Sequence, residues 1–253
     1  MSGTHPAYFD AYSTMALSRS PAGVLTLRFH TKDGPAAFSG TMQAEFPLAL
    51  NEIGADRDNR VLVLTGTGDR FMTDVERESL GDLTKPGVWD QIFSRGRQTM
   101  QHLVDLEMPI VSAANGPASI HSEWVMLADI AVAAETTVFS DYSHPAFNTV
   151  PGDGCALIWE EVLGLNRSRY LTLTGGSFTA QQALEWGVVA EVIPVDQVLI
   201  RAQEIAEQLA AKPQMLTRFL SVVIRQRLSR RVAEGVQLRM ALEGLAASDK
   251  AYH

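Results

Sequence analysis

The side chains best suited to chemistry in this chain are His121, His144, Asp153 and Glu243. Both histidines lie in irregular stretches that follow apolar, strand-like runs, and loops on a rigid scaffold carry a disproportionate share of functional sites. Asp153 sits in the tight turn Pro151-Gly-Asp-Gly154. An aspartate that accepts from one imidazole nitrogen fixes the tautomer and raises the basicity of the other. Such a pair can take a proton from water. Nine residues separate His144 from Asp153 across that turn, so the pairing is allowed rather than required. The plainer readings are loop histidines bonded to backbone and an aspartate that only shapes its turn. Glu243 falls on a helical pattern, where a carboxylate is ordinarily a solvated face.

The other candidates read as inert. His5 and His253 belong to the chain ends, which are ordinarily solvated. His30 falls on the polar face of a strand and His102 in a helix rich in polar residues, so both are expected at the surface. Cys155 is the single cysteine, which excludes an intrachain disulfide. No histidine immediately precedes it, so a packed thiol is expected. The sequence has no Gly-x-Ser-x-Gly elbow, no phosphate-binding Gly-x-x-x-x-Gly-Lys-Ser/Thr loop and no His-Glu-x-x-His pair. Gly66-Thr-Gly68 is too short for a dinucleotide fingerprint.

These residues must be positioned by an alternation of strands and helices. Val24 to His30 alternates Leu25, Leu27 and Phe29 with Thr26, Arg28 and His30, which predicts a half-buried strand. Val61 to Thr65, Ile110 to Ala114 and Ala128 to Ala134 are short, mostly apolar runs, expected as strands covered on both faces. Helical spacing is read over Thr41 to Ile53, where Pro47 is expected to kink it, and over Trp89 to Leu106. The pattern implies βα units around a largely parallel sheet, an α/β fold. Ligand sites in such sheets lie beyond the carboxyl ends of strands, which points to the turns Gly66 to Asp74 and Asn115 to Glu123. Thr179-Ala-Gln-Gln182 has capping-box spacing, with Gly187 closing a short helix. From Asp196 onward three helices are read, Asp196 to Ala211, Pro213 to Leu228 and Arg231 to Ala247.

The 253 residues are 46% hydrophobic and 20% charged, enough for a sizeable core and too apolar for disorder. A net charge of -8 argues against nucleic acid or an anionic membrane as partner. No apolar run approaches the roughly 18 residues of a spanning helix. The first residues lack the basic and apolar regions of a secretory signal, so a cytoplasmic setting is expected.

At Asn115-Gly-Pro-Ala and Val150-Pro-Gly-Asp-Gly154 the sequence resembles the crotonase (enoyl-CoA hydratase/isomerase) superfamily. Further matching stretches are Val61-Leu-Val-Leu-Thr-Gly, Arg70-Phe-Met-Thr-Asp, Ala128-Asp-Ile-Ala-Val-Ala, Leu173-Thr-Gly-Gly-Ser-Phe-Thr-Ala and Trp186-Gly-Val-Val-Ala-Glu-Val. The resemblance implies a spiral of ββα units over residues 1–195. It also implies a C-terminal helical region over 196–253 that supports a homotrimer or a hexamer.

The departures from the hydratase pattern are informative. Where that pattern has a glycine donating a backbone N–H to a thioester oxyanion, this chain has His121. The first catalytic glutamate becomes Trp124, or Glu123 with one deletion, and the second becomes His144. These replacements resemble a branch of the superfamily, the β-diketone hydrolases typified by 6-oxocamphor hydrolase. The branch cleaves a carbon–carbon bond between two ketones by a retro-Claisen reaction. The resemblance implies a dyad of His144 and Asp153, a second histidine at His121 and a glutamate at Glu243. Phe38 aligns with a substrate-binding tryptophan and Gln43 with a histidine, so Phe38 and Trp124 are expected against substrate. Neither a cofactor nor a metal is implied; the partner is a small neutral diketone. Three other readings stay open at this point: an acyl-CoA hydratase or thioesterase, a non-catalytic oligomer, and a mononuclear iron site built on two histidines and a carboxylate.

Overall fold

The short apolar runs become strands of one sheet because helices cover both of its faces. A computed structural model describes residues 5–249. His253 therefore lies outside the described residues. In chain order the elements are β1 (Met15–Arg19), β2 (Val24–Phe29), β3 (Ala37–Phe38), α1 (Gly40–Ala55), β4 (Val61–Thr65), β5 (Asp74–Val75), α2 (Pro86–Asp105) and β6 (Ile110–Ala114). They continue with α3 (Ser122–Met126), β7 (Ile130–Ala134), β8 (Val138–Ser140), α4 (Ser143–Ala146), α5 (Cys155–Leu163), α6 (Leu165–Thr174), β9 (Ser177–Thr179), α7 (Ala180–Glu185), β10 (Glu191–Ile193), α8 (Val195–Ala210) and α9 (Gln214–Ala247).

The main sheet has the order β1-β2-β4-β6-β7-β10. Only the β1–β2 pair is antiparallel; the remaining pairs are parallel. On one face Leu25, Leu27, Leu62, Leu64 and Ile110 pack with Met42, Phe46, Leu50 and Ile53 of α1 and Leu103 of α2. On the other, Val24, Val61, Val63, Val111 and Val132 meet Val198, Ala202, Ala206 and Ala210 of α8. Those four recur every fourth residue, so they form one stripe whose small side chains let the helix lie close on the sheet.

This second cover corrects the half-buried reading of β2. Val24 and Thr26 are buried beneath α8, and Gln203 of α8 donates to Thr26 Oγ1 at 3.3 Å. His30 is also buried rather than at the surface, and its Nδ1 accepts from the Asp33 N–H. His102 is half-buried and donates from Nδ1 to the Pro47 carbonyl at 2.9 Å. α1 runs unbroken through Pro47, with Ser39 capping its start by accepting from Met42 N–H. Thr179 and Gln182 form the expected capping box of α7.

The tail also differs from its sequence reading. α8 belongs to the sheet packing, and the remainder is one helix of 34 residues. Nothing in Leu228-Ser-Arg-Arg231 breaks a helix: there is neither Pro nor Gly, only a change in which face is apolar. α9 lies along α2, held by buried Arg225, which donates to the carbonyls of Leu103, Leu106 and Met108. Arg225 Nε also stands 3.1 Å from Asp129 Oδ1, an ion contact rather than an aligned hydrogen bond. Among the described residues no helix is long and apolar enough to cross a membrane.

Candidate active site

The turn after β6 delivers the first half of the site. Asn115 accepts from Gly66 N–H and donates to the carbonyls of Gly68 and Arg70, tying together the turns that follow β4 and β6. Gly116 is obligatory here: a Cβ would stand 1.8 Å from the Asp69 carbonyl oxygen. The Gly66–Asp74 turn thus acts as a brace, and Met72 accepts through its carbonyl from the N–H groups of Ser119 and Ile120. The chain then reaches His121, which adopts a left-handed conformation (φ 50°, ψ 41°) at the start of α3. A non-glycine residue there costs on the order of 1–2 kcal/mol and persists only where its surroundings hold it. Three contacts do so. The imidazole stacks on Trp124 (4.1 Å between centroids, 5° between planes), meets Phe38 edge-on, and shares a 2.7 Å hydrogen bond from Nδ1 to Glu123 Oε1.

The second half comes from α4, the Pro-Gly-Asp-Gly turn and α9. His144 is buried and donates from Nδ1 to Asp141 Oδ1 at 2.6 Å. Its Nε2 faces two more carboxylates, Asp153 Oδ2 at 3.6 Å and Glu243 Oε1 at 3.5 Å. Asp153 Oδ2 is also 3.6 Å from His121 Nδ1, so this one oxygen lies between both imidazoles. Glu243 is carried in by α9, which is fastened to α5 by Arg231–Glu161 and Arg239–Glu160 ion pairs. Thr149 donates to the Glu243 carbonyl, and Gly152 lets the turn press against the Arg239 carbonyl.

Electrostatics follow from this crowding. Burial disfavours the imidazolium of His144, but Asp153, Asp141 and Glu243 outweigh it and hold its pKa well above the ordinary histidine value. Burial likewise opposes charge on His121, and Glu123 and Asp153 overcome it, raising that pKa too. Glu123 is raised by burial against the pull of His121. Glu243 is pushed up to about 7 by burial, with His144 pulling the other way. Cys155 is raised well above the ordinary thiol value by burial and then by Asp141, Glu123 and Asp153, so it is a packed, protonated thiol.

These groups open onto a cavity of about 800 Å³ of empty space, counting its mouth. Its walls are mostly apolar and aromatic, with Phe38, Phe46, Trp124, Ile92, Trp89 and Phe147 among them. Gln43, Thr99, Ser143 and Thr149 are the uncharged polar contributions, and among the described residues no Lys or Arg lines it. Glycines set the back wall. A Cβ on Gly244 would stand 2.1 Å from the Trp89 indole nitrogen, and one on Gly96 would stand 2.6 Å from Met240 Cε.

The structure therefore brings together His121, His144, Asp153, Glu243, Phe38 and Trp124, all of which line this cavity. It differs in who orients His144: Asp141 holds Nδ1, while Asp153 faces Nε2 beyond hydrogen-bond length. Asp141 went unread in the sequence, although its i, i+3 spacing to a candidate histidine was a usable signal. Glu123 was read only as an alignment alternative. His121 Nδ1, a Glu123 oxygen and Asp153 Oδ2 are close enough to suggest a metal. They do not fit one: the 2.7 Å hydrogen bond is shorter than the roughly 3.3 Å between neighbouring tetrahedral ligands on a zinc-like ion about 2.0 Å from each, and it occupies the nitrogen such an ion needs.

Comparison with known proteins places the chain. Residues 19–251 match the enoyl-CoA hydratase/isomerase family. Among curated relatives, a 1,2-epoxyphenylacetyl-CoA isomerase of Escherichia coli is 28% identical over 203 residues, covering 78% of this chain and 76% of its own. A probable mitochondrial enoyl-CoA hydratase of Dictyostelium discoideum is 25% identical over 202 residues, 79% of this chain and 72% of its own. Among solved structures, a beta-diketone hydrolase from the cyanobacterium Anabaena sp. PCC 7120, bound to (S)-3-oxocyclohexyl acetic acid, superposes with a TM-score of 0.96. It is 43% identical, covering 97% of this chain and 98% of that one. An enoyl-CoA hydratase/isomerase from Mycobacterium paratuberculosis, 22% identical, has the same fold at a TM-score of 0.89 over 96% of this chain and 97% of that one. The fold is the crotonase fold, and the chain belongs to the enoyl-CoA hydratase/isomerase family of the crotonase superfamily.

Proposed function

We propose that the protein hydrolyses the carbon–carbon bond of a β-diketone in the apolar cavity, where the ionisable groups among the described residues are two histidines and their carboxylates. The observation that carries this reading is His144, buried at the cavity wall with Asp141 on one nitrogen and Asp153 and Glu243 at the other. Water adds to one carbonyl while His144 Nε2 takes its proton. The bond to the central carbon breaks, and that carbon leaves as an enolate conjugated with the second ketone. The proton held by His144 then passes to the enolate carbon, giving a keto acid. The second ketone is the electron sink, so the reaction calls on neither metal nor cofactor. His121 stabilises the oxygen that gains charge, Glu243 positions the water, and Asp153 stabilises the imidazolium of His144.

The similarity to a beta-diketone hydrolase bound to a keto acid supports the reading, and the aromatic walls suit a cyclic diketone. The names of the curated relatives favour a second reading, action on an acyl-CoA. A spectrophotometric panel of monocyclic and bicyclic β-diketones, run beside crotonyl-CoA, separates the two. Loss of diketone absorbance with release of acid is expected. Saturable turnover of the CoA ester with an inert diketone panel would overturn the proposal. We further assign the protein to the cytoplasm and to a homotrimer or hexamer. Exposed Phe219, Val223, Ile224 and Leu173 support the assembly, which sedimentation velocity would test.

A further inference from the structure

We infer that Glu123 is a positioning residue that locks His121 as a permanent hydrogen-bond donor at Nε2, replacing the oxyanion-binding backbone N–H of a hydratase. The inference deepens the diketone hydrolase reading and rests on it for the identity of the oxygen served.

The argument starts from burial. Glu123 is fully buried, and its Oε2 has no hydrogen-bond partner among the described residues. A lone carboxylate in that position loses its hydration with nothing in return, so the group must be neutralised. What faces it is His121, the residue that precedes α3, Asp153 from the Pro-Gly-Asp-Gly turn and the Cys155 thiol from α5. Asp153 is of like sign and the thiol is protonated, so His121, 2.7 Å away, is the neutralising partner.

A neutral Glu123–His121 pair carries two protons. One lies in the hydrogen bond between Oε1 and Nδ1, on either atom. The other is on Nε2. A proton on Oε2 would be a buried donor with no acceptor, because that oxygen has no partner among the described residues. With the acid proton therefore in the Oε1–Nδ1 bond, Nε2–H is present whether the pair is carboxylate with imidazolium or carboxylic acid with imidazole. Removing it would leave a net negative charge in a buried site beside Asp153; burial raises Glu123, and Glu123 with Asp153 raises His121 against its own burial. Stacking on Trp124 and the left-handed backbone fix the ring's direction. Nδ1 is turned to Glu123 and His121 lines the cavity, so Nε2–H is the donor left for a substrate oxygen. No bond is made or broken at His121; it donates to the carbonyl oxygen as negative charge develops there.

Two measurements test this. The first is ¹⁵N–¹H NMR of the imidazoles in the unmodified protein, with His121 identified by its loss in His121→Asn. A proton retained on Nε2 to pH 9 is expected; an unprotonated Nε2 above pH 8 overturns the inference, whatever the reaction. The second is the pH profile of diketone cleavage. Glu123→Leu should lower kcat by about 100-fold, as for loss of an oxyanion donor, with KM little changed. Glu123→Gln, which keeps the shape and can donate an amide N–H to Nδ1, should recover at least tenfold of that loss. A Glu123→Leu protein with full kcat overturns the inference. If that variant does not fold, the NMR result and Glu123→Gln decide: a Gln variant as slow as His121→Asn overturns it. A protein that cleaves no diketone, yet keeps the Nε2 proton, instead sinks the reading of the reaction and leaves the proton lock standing.

Discussion

Two clusters of buried charge among the described residues are treated in opposite ways. Arg225 and Asp129 form a one-to-one pair: the guanidinium donates to three carbonyls, and Asp129 accepts from the Ile110 N–H. The site beneath α2 and α9 instead gathers Glu123, Asp141, Asp153 and Glu243 around two histidines, and leaves one oxygen of Glu123 and one of Glu243 without a hydrogen bond. The first cluster is balanced in charge, one cation facing one carboxylate with Arg225 Nε in ion contact rather than hydrogen-bonded, the arrangement of a fastener. The second has an excess of acid and faces a cavity, so its protons can move. Buried charge alone does not mark a functional site; imbalance beside open space does.

The sharpest test of that contrast is His144→Ala. Diketone cleavage should fall about 1000-fold in kcat, within the usual range for losing a general base. Its neighbouring carboxyl groups can take up protons, so circular dichroism should show the fold retained. Arg225→Ala should do the reverse. It strips Asp129 of its counter-ion and three carbonyls of their side-chain donor, so chemical denaturation should show about 3–5 kcal/mol less stability, with kcat per folded molecule within twofold of the unmodified protein. If Arg225→Ala abolishes activity in fully folded protein, the division between fastener and site fails.

Asp153→Asn gives a smaller, more specific effect. The free base is the active form of His144, and Asp153 raises its pKa, so activity in the unmodified protein should rise with pH through a limb above the ordinary histidine range. In the variant that limb should move to lower pH in a plot of kcat/KM. Glu243→Gln should give the smallest change in stability. The folded pKa of Glu243, about 7, lies above its unfolded value, so its contribution is fully present below about 4.5 and lost as pH rises through 7. Melting temperatures measured from pH 5 to 8 should decline less steeply in the variant.

Much of this arrangement was legible in the residues. Short apolar runs announced buried parallel strands, and Val150-Pro-Gly-Asp-Gly154 with histidines at two replaced positions pointed to the candidate site. What escaped has physical causes. Residues two apart on a helix do not face one another, so Glu123 gave no sign of reaching His121; the left-handed backbone at His121 makes the contact. Asp141 precedes α4, and its i, i+3 spacing reaches His144 only once that short helix forms, which sequence periodicity over four residues cannot announce. Thr26 looked solvated because nothing local reveals that α8, more than 160 residues later, folds back over it. Local periodicity reports which face of an element is apolar, and long-range cover decides whether its polar face meets water.

The glycine at position 244 gives the back wall an unusual kind of evolvability. It never reaches the cavity, yet the indole of Trp89 rests where its side chain would be. A single added methyl there must push the indole, so the pocket can be reshaped by substitutions that spare every ionisable group. On the proposed function, the shape of this wall rests on different residues from the reaction chemistry, and one can change while the other is kept.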